Sequence, residues 1–306
     1  MIEEVTVRVP ASTSNLGPGF DCLGVALRIY NHVTVARGRP PRAATPMIRA
    51  AAEAFFARAG VRPFAFRCEV AGDVPMARGL GSSVTVRLGL MHGLNALAGR
   101  PLKREEIYEL CAELEGHPDN AAAAEFGGFN VVRAGSRQRF AVSAALKCVL
   151  LIPDFEVSTT KARALLPGKI SRRGSVESCG NAAAITAAFA SGKYMNLQGA
   201  FRDHLHQPFR KKLMPFLDDV IAAAEEAGAL GGFLSGSGST IAAVTLASVP
   251  AVARAMRSAA TKVNAQTIIT TADNRGARLL ISDQQLRQKV ASTRRISVSA
   301  IGNSTE

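Results

Sequence analysis

The sequence predicts an α+β protein of two domains, and three observations carry that prediction. The 306 residues are 47% apolar and 20% charged, a well-mixed composition long enough to build two domains sharing an interface. Strand-like segments alternate with helix-like ones along the chain, with no internal repeat and no low-complexity tract. In the last third, the order helix, strand, strand, helix, strand resembles a split β-α-β unit.

Taken in order, Val5, Val7 and Val9 alternate with Thr6 and Arg8 as a half-buried strand that stops at Pro10. The next stretch, 11–21, packs Ser12, Thr13, Ser14, Asn15, Gly17, Gly19 and Asp21 into a loop far more polar than a hairpin requires. It is either a long turn whose Asn15 and Asp21 bond their own backbone, or a substrate loop. Thr45 as N-cap, Pro46 in the first turn and Gly60 at the end bracket a helix, and a strand at 64–70 follows.

That strand feeds Pro75, Met76, Ala77, Arg78, Gly79, Leu80, Gly81, Ser82 and Ser83, a glycine-rich turn ahead of a helix that runs to Ala98 and is closed by Gly99. Gly79 and Gly81 permit a backbone that other residues resist, so free N–H groups and the positive end of the helix face one anion. The plainer alternative is a helix start with Ser82 as its N-cap. A second helix, 103–115, has Ile107, Leu110, Cys111 and Leu114 on one face and is stopped by Gly116. Glu113 and Glu115 lie in its last turn, where a carboxylate opposes the macrodipole and gains from a nearby cation.

Gly116, His117, Pro118, Asp119 and Asn120 then lead into a short alanine-rich helix and the Gly127-Gly128 break. Asp119 or Asn120 can cap that helix; alternatively His117 and Asn120 project from the junction towards phosphates. Strands at 129–133, 140–142 and 148–153 complete a mixed sheet. The domain boundary falls near Pro153, giving domains 1–153 and 154–282 and a loosely ordered polar tail, 283–306. In the second domain a short helix at 158–165 carries Lys161 and Arg163, helical stretches follow at 176–191 and 195–206, and Arg210 precedes a helix at 215–227. Ser235, Gly236, Ser237, Gly238 and Ser239 break an apolar strand that resumes at 241–246 and leave backbone open to a ligand. A helix at 250–260 and strands at 267–271 and 277–281 finish the domain.

Composition narrows the function classes. The five cysteines are scattered without C-x-x-C spacing, which suggests neither a disulfide framework nor a zinc site. No apolar run is long enough to span a bilayer and no signal peptide opens the chain, so a cytoplasmic enzyme without a membrane partner is expected. The net charge of +13 suits an anionic partner, nucleotide phosphate or nucleic acid. Basic runs are short and not interleaved with aromatics, and there is no Trp, which argues against nucleic acid. A homodimer is compatible with the sequence. The absence of a Walker lysine and of a kinase H-R-D motif sets aside the two commonest nucleotide-binding architectures.

In order and spacing, 15–21, 75–83 and 235–239, with the Glu115 to Asn120 junction, resemble the motifs of the GHMP superfamily: galactokinase, homoserine kinase, mevalonate kinase and phosphomevalonate kinase. The match is closest to the homoserine kinases and runs from Val5 to about Leu280. The resemblance implies an N-terminal, ribosomal-protein-like domain with a left-handed β-α-β crossover, a ferredoxin-like C-terminal domain, and an active site between them. It implies ATP-dependent phosphorylation of the L-homoserine side-chain hydroxyl to O-phospho-L-homoserine, a step of threonine biosynthesis, with Mg2+. Another small alcohol is the nearest alternative acceptor, and an RNA-binding module the remote one.

Carried onto this chain, the resemblance assigns the triphosphate to the segment from Pro75 to Thr85, including Val84, and to Ser235, Gly236, Ser237 and Gly238. Ser83 resembles the serine that reaches magnesium; Glu113 is the chosen metal carboxylate, with Glu115 the rival register. Asn15, Asp21, His117 and Asn120 resemble the substrate and catalytic residues, Asp21 taking the amino group. Arg163 and Arg210 resemble the arginines that grip the carboxylate, the alternative being ordinary surface charge. Asn120 stands where mevalonate-type relatives carry an aspartate base, and an amide cannot accept the hydroxyl proton; Asp119 is expected to cap its helix and point away. Two departures stand out, Val84-Thr85-Val86-Arg87 where small residues are usual, and Gly238-Ser239-Thr240 where Gly-Pro-Thr or Gly-Pro-Ser is common.

Overall fold

A computed structural model describes residues 3–39, 43–261 and 263–280; the tail at 283–306 lies outside the described residues. Strand β1 (Glu4–Asn15) turns at Leu16, Gly17 and Pro18 into β2 (Gly19–Arg37), the spine of the first sheet. Helix α1 (Pro46–Ala59) and β3 (Phe66–Gly72) follow, then α2 (Ser82–Leu97), α3 (Arg104–Glu115) and α4 (Asp119–Phe126), and strands β4 (Phe129–Arg133) and β5 (Ser136–Phe140). After β6 (Lys147–Pro153) come α5 (Thr159–Ala164), α6 (Arg172–Ser191), α7 (Gln207–Arg210) and α8 (Leu217–Glu226). The chain then forms β7 (Gly231–Leu234), β8 (Ile241–Thr245), α9 (Val249–Ala259), β9 (Ala265–Thr271) and β10 (Arg278–Leu280).

The first sheet has the order β10-β1-β2-β4-β5, with β3 also paired to β2, and the second has the order β7-β8-β6-β9. Counted along the chain, the second order is 2-3-1-4, the antiparallel arrangement of a ferredoxin-like split β-α-β unit. Five expectations need correction. The first sheet is antiparallel rather than mixed, and the strand expected at 148–153 to complete it is β6, which lies in the second sheet between β8 and β9. The strand expected at 277–281 to finish the second domain pairs instead with β1 of the first sheet.

Pro10 does not stop β1. It sits at a register shift between Pro10 and Ala11, where its missing N–H costs no regular ladder bond. Most of the supposed polar loop is therefore strand, with Ala11, Ser12, Thr13 and Ser14 paired to Leu27, Ala26, Val25 and Gly24. The helix expected at 195–206 is only a 3-10 turn, Tyr194–Leu197. The Asp203 carboxylate accepts from the N–H groups of Leu205, His206 and Gln207 at 2.7, 2.9 and 2.7 Å, which starts α7 anew.

Apolar faces hold these pieces together. Val7, Val9, Val33 and Val35 pack under α1 and α2, and α2 approaches so closely that a Cβ on Gly89 or Gly93 would lie 2.4 or 2.3 Å from Val33 or Val35. Helices α8 and α9 cover Val149, Leu151, Ile241 and Ala243 of the second sheet with Leu217, Val220, Val252 and Met256. Between the sheets, Leu23, Val25, Leu27 and Phe129 meet Leu150, Ile152, Phe233 and Val244. Phe129 stacks on Phe189 of α6 at 4.2 Å between ring centroids. Each fully buried side chain of this size is worth roughly 1.5–3 kcal/mol, so the seam beneath the site is firmly closed.

Candidate active site

A cavity of about 380 Å³ opens where the β1–β2 turn, the glycine loop before α2, the α3–α4 junction, α5, α7 and the loop between β7 and β8 meet. The glycine loop holds its shape through left-handed residues, with φ of +52° at Ala77, +75° at Gly79 and +68° at Gly81. Gly81, not Ser82, is the N-cap of α2, and no side chain caps the helix, so its first N–H groups remain available to an anion. The loop is fastened on both sides. Ser12 N–H donates to Leu80 O at 3.1 Å, Ser235 Oγ donates to Gly79 O at 2.6 Å, and Thr240 N–H donates to Arg78 O at 3.1 Å. Arg78 also pairs with Asp154 at 3.3 Å.

Not every residue expected at the phosphates faces the cavity. Met76, Ala77, Arg78, Gly79, Gly81, Ser82, Ser83, Val84, Gly236 and Ser237 line it, whereas Pro75, Leu80, Thr85, Ser235 and Gly238 do not. Leu80 is core, and Thr85 Oγ1 accepts from Asn31 Nδ2 while donating to Ser82 O, both at 2.7 Å.

Glu113 is a correction. Its side chain is 59% exposed and its carboxylate takes Arg58 of α1 at 2.9 Å, outside the cavity. Two residues along a helix turn roughly 200°, so Glu113 and Glu115 cannot share a face. Glu115 is the one that lines the cavity: Ser83 Oγ donates to its Oε2 at 3.0 Å, and Arg87 pairs with its Oε1. The pair gives two oxygen donors side by side at the helix start.

Helix α4 begins at the cavity with Asp119 and Asn120, both buried. Asn120 is gripped on both sides of its carboxamide: Ser12 Oγ donates to Oδ1, and Nδ2 donates to Ser14 Oγ, each at 2.9 Å. Asp119 is not the cap expected of it: it is the first residue of α4, Pro118 is the N-cap and no side chain caps the helix, while Asp119 Oδ1 accepts from the N–H of Asn120 at 2.7 Å and lies 3.0 Å from His117 Nδ1. It also borders the cavity rather than pointing away from it. Burial disfavours a charged His117, but the hydrogen bond and charge of Asp119, helped by Glu115, outweigh it and raise its pKa above the usual 6.5. The other end of α4 is anchored by fully buried Glu125, which meets His92 Nε2 at 2.8 Å and accepts from Arg104 Nε at 2.6 Å. Burial opposes its charge, but its contacts with His92 and Arg104 still hold its pKa below the ordinary value.

Part of the cavity wall is charged, at Asp21, Arg163 and Arg210. Asp21, at φ +58°, accepts a two-pronged contact from Arg163 at 2.7 and 3.0 Å, and its N–H donates to Asn15 Oδ1 at 3.1 Å. Asn15, itself at φ +70°, spends its Nδ2 on Gly236 O at 3.1 Å. Arg210, far from being surface charge, is only 2% exposed; its Nη1 donates to Gly236 O at 2.9 Å and its Nε is buried without a partner. Burial, then the nearby Arg163, pulls its pKa down to about 10, which leaves it charged at neutral pH. Both guanidiniums stand over the ring of Phe20, at 5.3 and 5.2 Å. The sequence had placed Ser12 and Ser14 only within a possible substrate loop and had not singled out Phe20, Arg87 or His206 as functional residues; all five touch the groups just described.

An uncapped helix start that can take a phosphate, a hydroxyl–carboxylate pair beside it and two guanidiniums in the same cavity describe a small-molecule phosphotransferase with an anionic acceptor. Residues 46–128 match the model of the GHMP kinases N terminal domain and residues 185–262 that of the GHMP kinases C terminal. The homoserine kinase of Moorella thermoacetica is 39% identical over 271 residues, 83% of this chain and 91% of its own. That of Caldicellulosiruptor bescii is 38% identical over 257 residues, 78% of this chain and 84% of its own. The crystal structure of homoserine kinase from Cytophaga hutchinsonii aligns with a TM-score of 0.83 at 25% identity, over 92% of this chain and 98% of that one. The Methanococcus jannaschii mevalonate kinase shares the fold, with a TM-score of 0.67 at 12% identity over 88% and 98% of the two chains. This chain belongs to the homoserine kinases of the GHMP kinase superfamily. Among the described residues no helix is long and apolar enough to cross a membrane.

Proposed function

We propose that the chain transfers the γ-phosphoryl group of ATP to the side-chain hydroxyl of L-homoserine, with magnesium as the metal. The observation that carries the acceptor is Arg210, a buried guanidinium that lines the cavity with a partnerless Nε and no carboxylate paired to it among the described residues. Asp21, Asp203 and Asp119 favour its charge from nearby, but a buried cation with no carboxylate bonded to it is still costly, and an incoming carboxylate relieves that cost. A sugar or other neutral alcohol does not.

The roles follow. The N–H groups at Gly81, Ser82 and Ser83 and the positive end of α2 hold the phosphates. Ser83 Oγ and Glu115 form an oxygen-only donor pair 3.0 Å apart, which suits Mg2+, a hard cation that takes one or two carboxylates and leaves its other positions to water and phosphate. When bound there, the metal neutralises charge on the transferred group. Asp21 receives the ammonium of the amino acid, and Arg163 with Arg210 grips its carboxylate.

Asn120 holds the attacking hydroxyl. Its carboxamide cannot take a proton and is locked between Ser12 and Ser14, so its contribution is position. The hydroxyl oxygen forms the new bond to phosphorus as the bond to the ADP oxygen breaks, and the hydroxyl proton leaves on the transferred phosphoryl group. The test is ATP consumption with L-homoserine, mevalonate and a panel of sugars. Arg163→Ala should raise the homoserine KM by about 10- to 100-fold, the worth of one charge-assisted contact. Turnover with mevalonate or a sugar but not homoserine rejects the reading, as does tight, salt-sensitive RNA binding without ATP turnover.

A further inference from the structure

His206, the N-cap of α7, is fully buried, and no role has yet been given to it. Its ring stacks on Phe20 at 5.3 Å between centroids. Nε2 lies 2.8 Å from Gly17 O, in the turn between β1 and β2, and Nδ1 lies 3.3 Å from Nη1 of Arg210. A guanidinium only donates and a carbonyl only accepts. Nε2 therefore carries the proton and Nδ1 presents its lone pair to Arg210, which makes the ring a neutral bridge from the turn to the guanidinium.

We propose that His206 is a positioning residue that aims the Arg210 guanidinium at the substrate carboxylate without neutralising it. This rests on the homoserine reading given above. Arg210 needs such a partner, because among the described residues its one other side-chain hydrogen bond is to the carbonyl of Gly236, and Arg163 faces the same Phe20 ring with a like charge. A carboxylate at position 206 would fix the guanidinium as well, but would occupy the charge that the substrate must meet. A neutral acceptor fixes direction and leaves the charge free. The surroundings keep the ring neutral: burial, with Arg210 adding to it, pushes its pKa down to about 4 against the opposing pull of Asp203 and Asp21. Asp203, 3.5 Å from Nε2, is itself committed to the N–H groups that start α7.

The test compares L-homoserine with L-homoserine amide, an acceptor of the same shape without the negative charge, in the wild type, His206→Gln and His206→Asn. A glutamine places its amide near the Nε2 position and serves Gly17 alone; an asparagine places its amide near Nδ1 and still accepts from Arg210. His206→Gln should narrow the preference for homoserine over the amide by about tenfold through the homoserine KM, with the ATP KM unchanged, and His206→Asn should stay within about twofold of wild type. Equal effects of the two variants, or a loss spread evenly over both acceptors and ATP, overturn the proposal in favour of a structural role. Ring ¹⁵N shifts of the wild type supply a readout that needs no variant to fold. A neutral ring protonated at Nε2 at pH 7 is expected, and a charged ring or an Nδ1–H tautomer rejects the bridge. Failure of the wild type to phosphorylate homoserine rejects both readings, whereas normal turnover with unchanged discrimination in His206→Gln rejects this one alone.

Discussion

Gly79 is where the glycine loop touches the loop between β7 and β8, and Gly79→Ala tests whether that contact sets the geometry of phosphoryl transfer. The residue sits at φ +75°, so an alanine there pays roughly 1–2 kcal/mol for a left-handed backbone. Its Cβ would also lie 2.1 Å from Ser235 O and 2.9 Å from Gly238 O, both backbone atoms that no rotamer change removes. Restoring ordinary contact requires the two loops to part by about 1 Å, a displacement that can cost on the order of 10²-fold in rate when it falls on positioning groups. Gly60→Ala is the control, because Gly60 has φ +62° but nothing within 4 Å of its Cβ. Thermal melts should show both variants losing a few degrees, with only Gly79→Ala losing about 10²-fold in kcat/KM for ATP. If both variants keep wild-type kinetics, or both lose activity alike, the contact between the loops does not position the phosphates.

Glu115→Gln should lower kcat by at least about 10²-fold and weaken the dependence on Mg2+, whereas Glu113→Gln, which removes only an exposed pair with Arg58, should change activity little and stability by less than about 1 kcal/mol; steady-state assays over a magnesium series separate the two. Asn120→Ala should reduce kcat more than Asp119→Asn does, and the reverse order would make Asp119 the proton acceptor. His206 also links stability to pH. Because its folded pKa of about 4 lies below the usual 6.5, the contribution is full above pH 6.5 and is lost as pH falls towards 4, when the unfolded ring takes a proton that the folded ring refuses. The full effect is roughly 3 kcal/mol, and His206→Asn should flatten that limb of a denaturant-based stability profile.

The glycine loops and the junction before α4 were legible because their chemistry is local. Thr45 caps α1 by accepting from the Ile48 N–H at 3.4 Å, Gly60 ends it in a left-handed turn, and both roles can be read from residue type and position. Which glutamate of α3 faces the cavity was misread for want of one step of helix arithmetic. Cys111 lies on the buried stripe, and Glu115 follows it by four residues, so the same stripe carries Glu115 to the interior and turns Glu113 out to Arg58. Asp203, followed by Pro208 at the start of α7, is a helix-start signal that was lost inside the periodicity assumed for 195–206. The placement of β6 and β10 was not legible, because an apolar run says that a strand is buried and not which partner it takes. Nor was the setting of Arg210, whose surroundings at Phe20 and Gly236 lie far from it along the chain.

The pairing of β10 with β1 has a consequence for how the molecule is made. The chain leaves the first sheet after β5, builds all of β6, β7, β8 and β9, and only then returns residues 278–280 to the edge of β1. During synthesis, that edge stands bare until nearly the whole described chain has left the ribosome, and the pairing that closes it spans most of the sequence. Such closure is slow because loop entropy is lost before the contact forms. A fragment cut at Pro153 would keep the glycine loop and Glu115 yet expose the outer edge of β1, an invitation to pair with another chain.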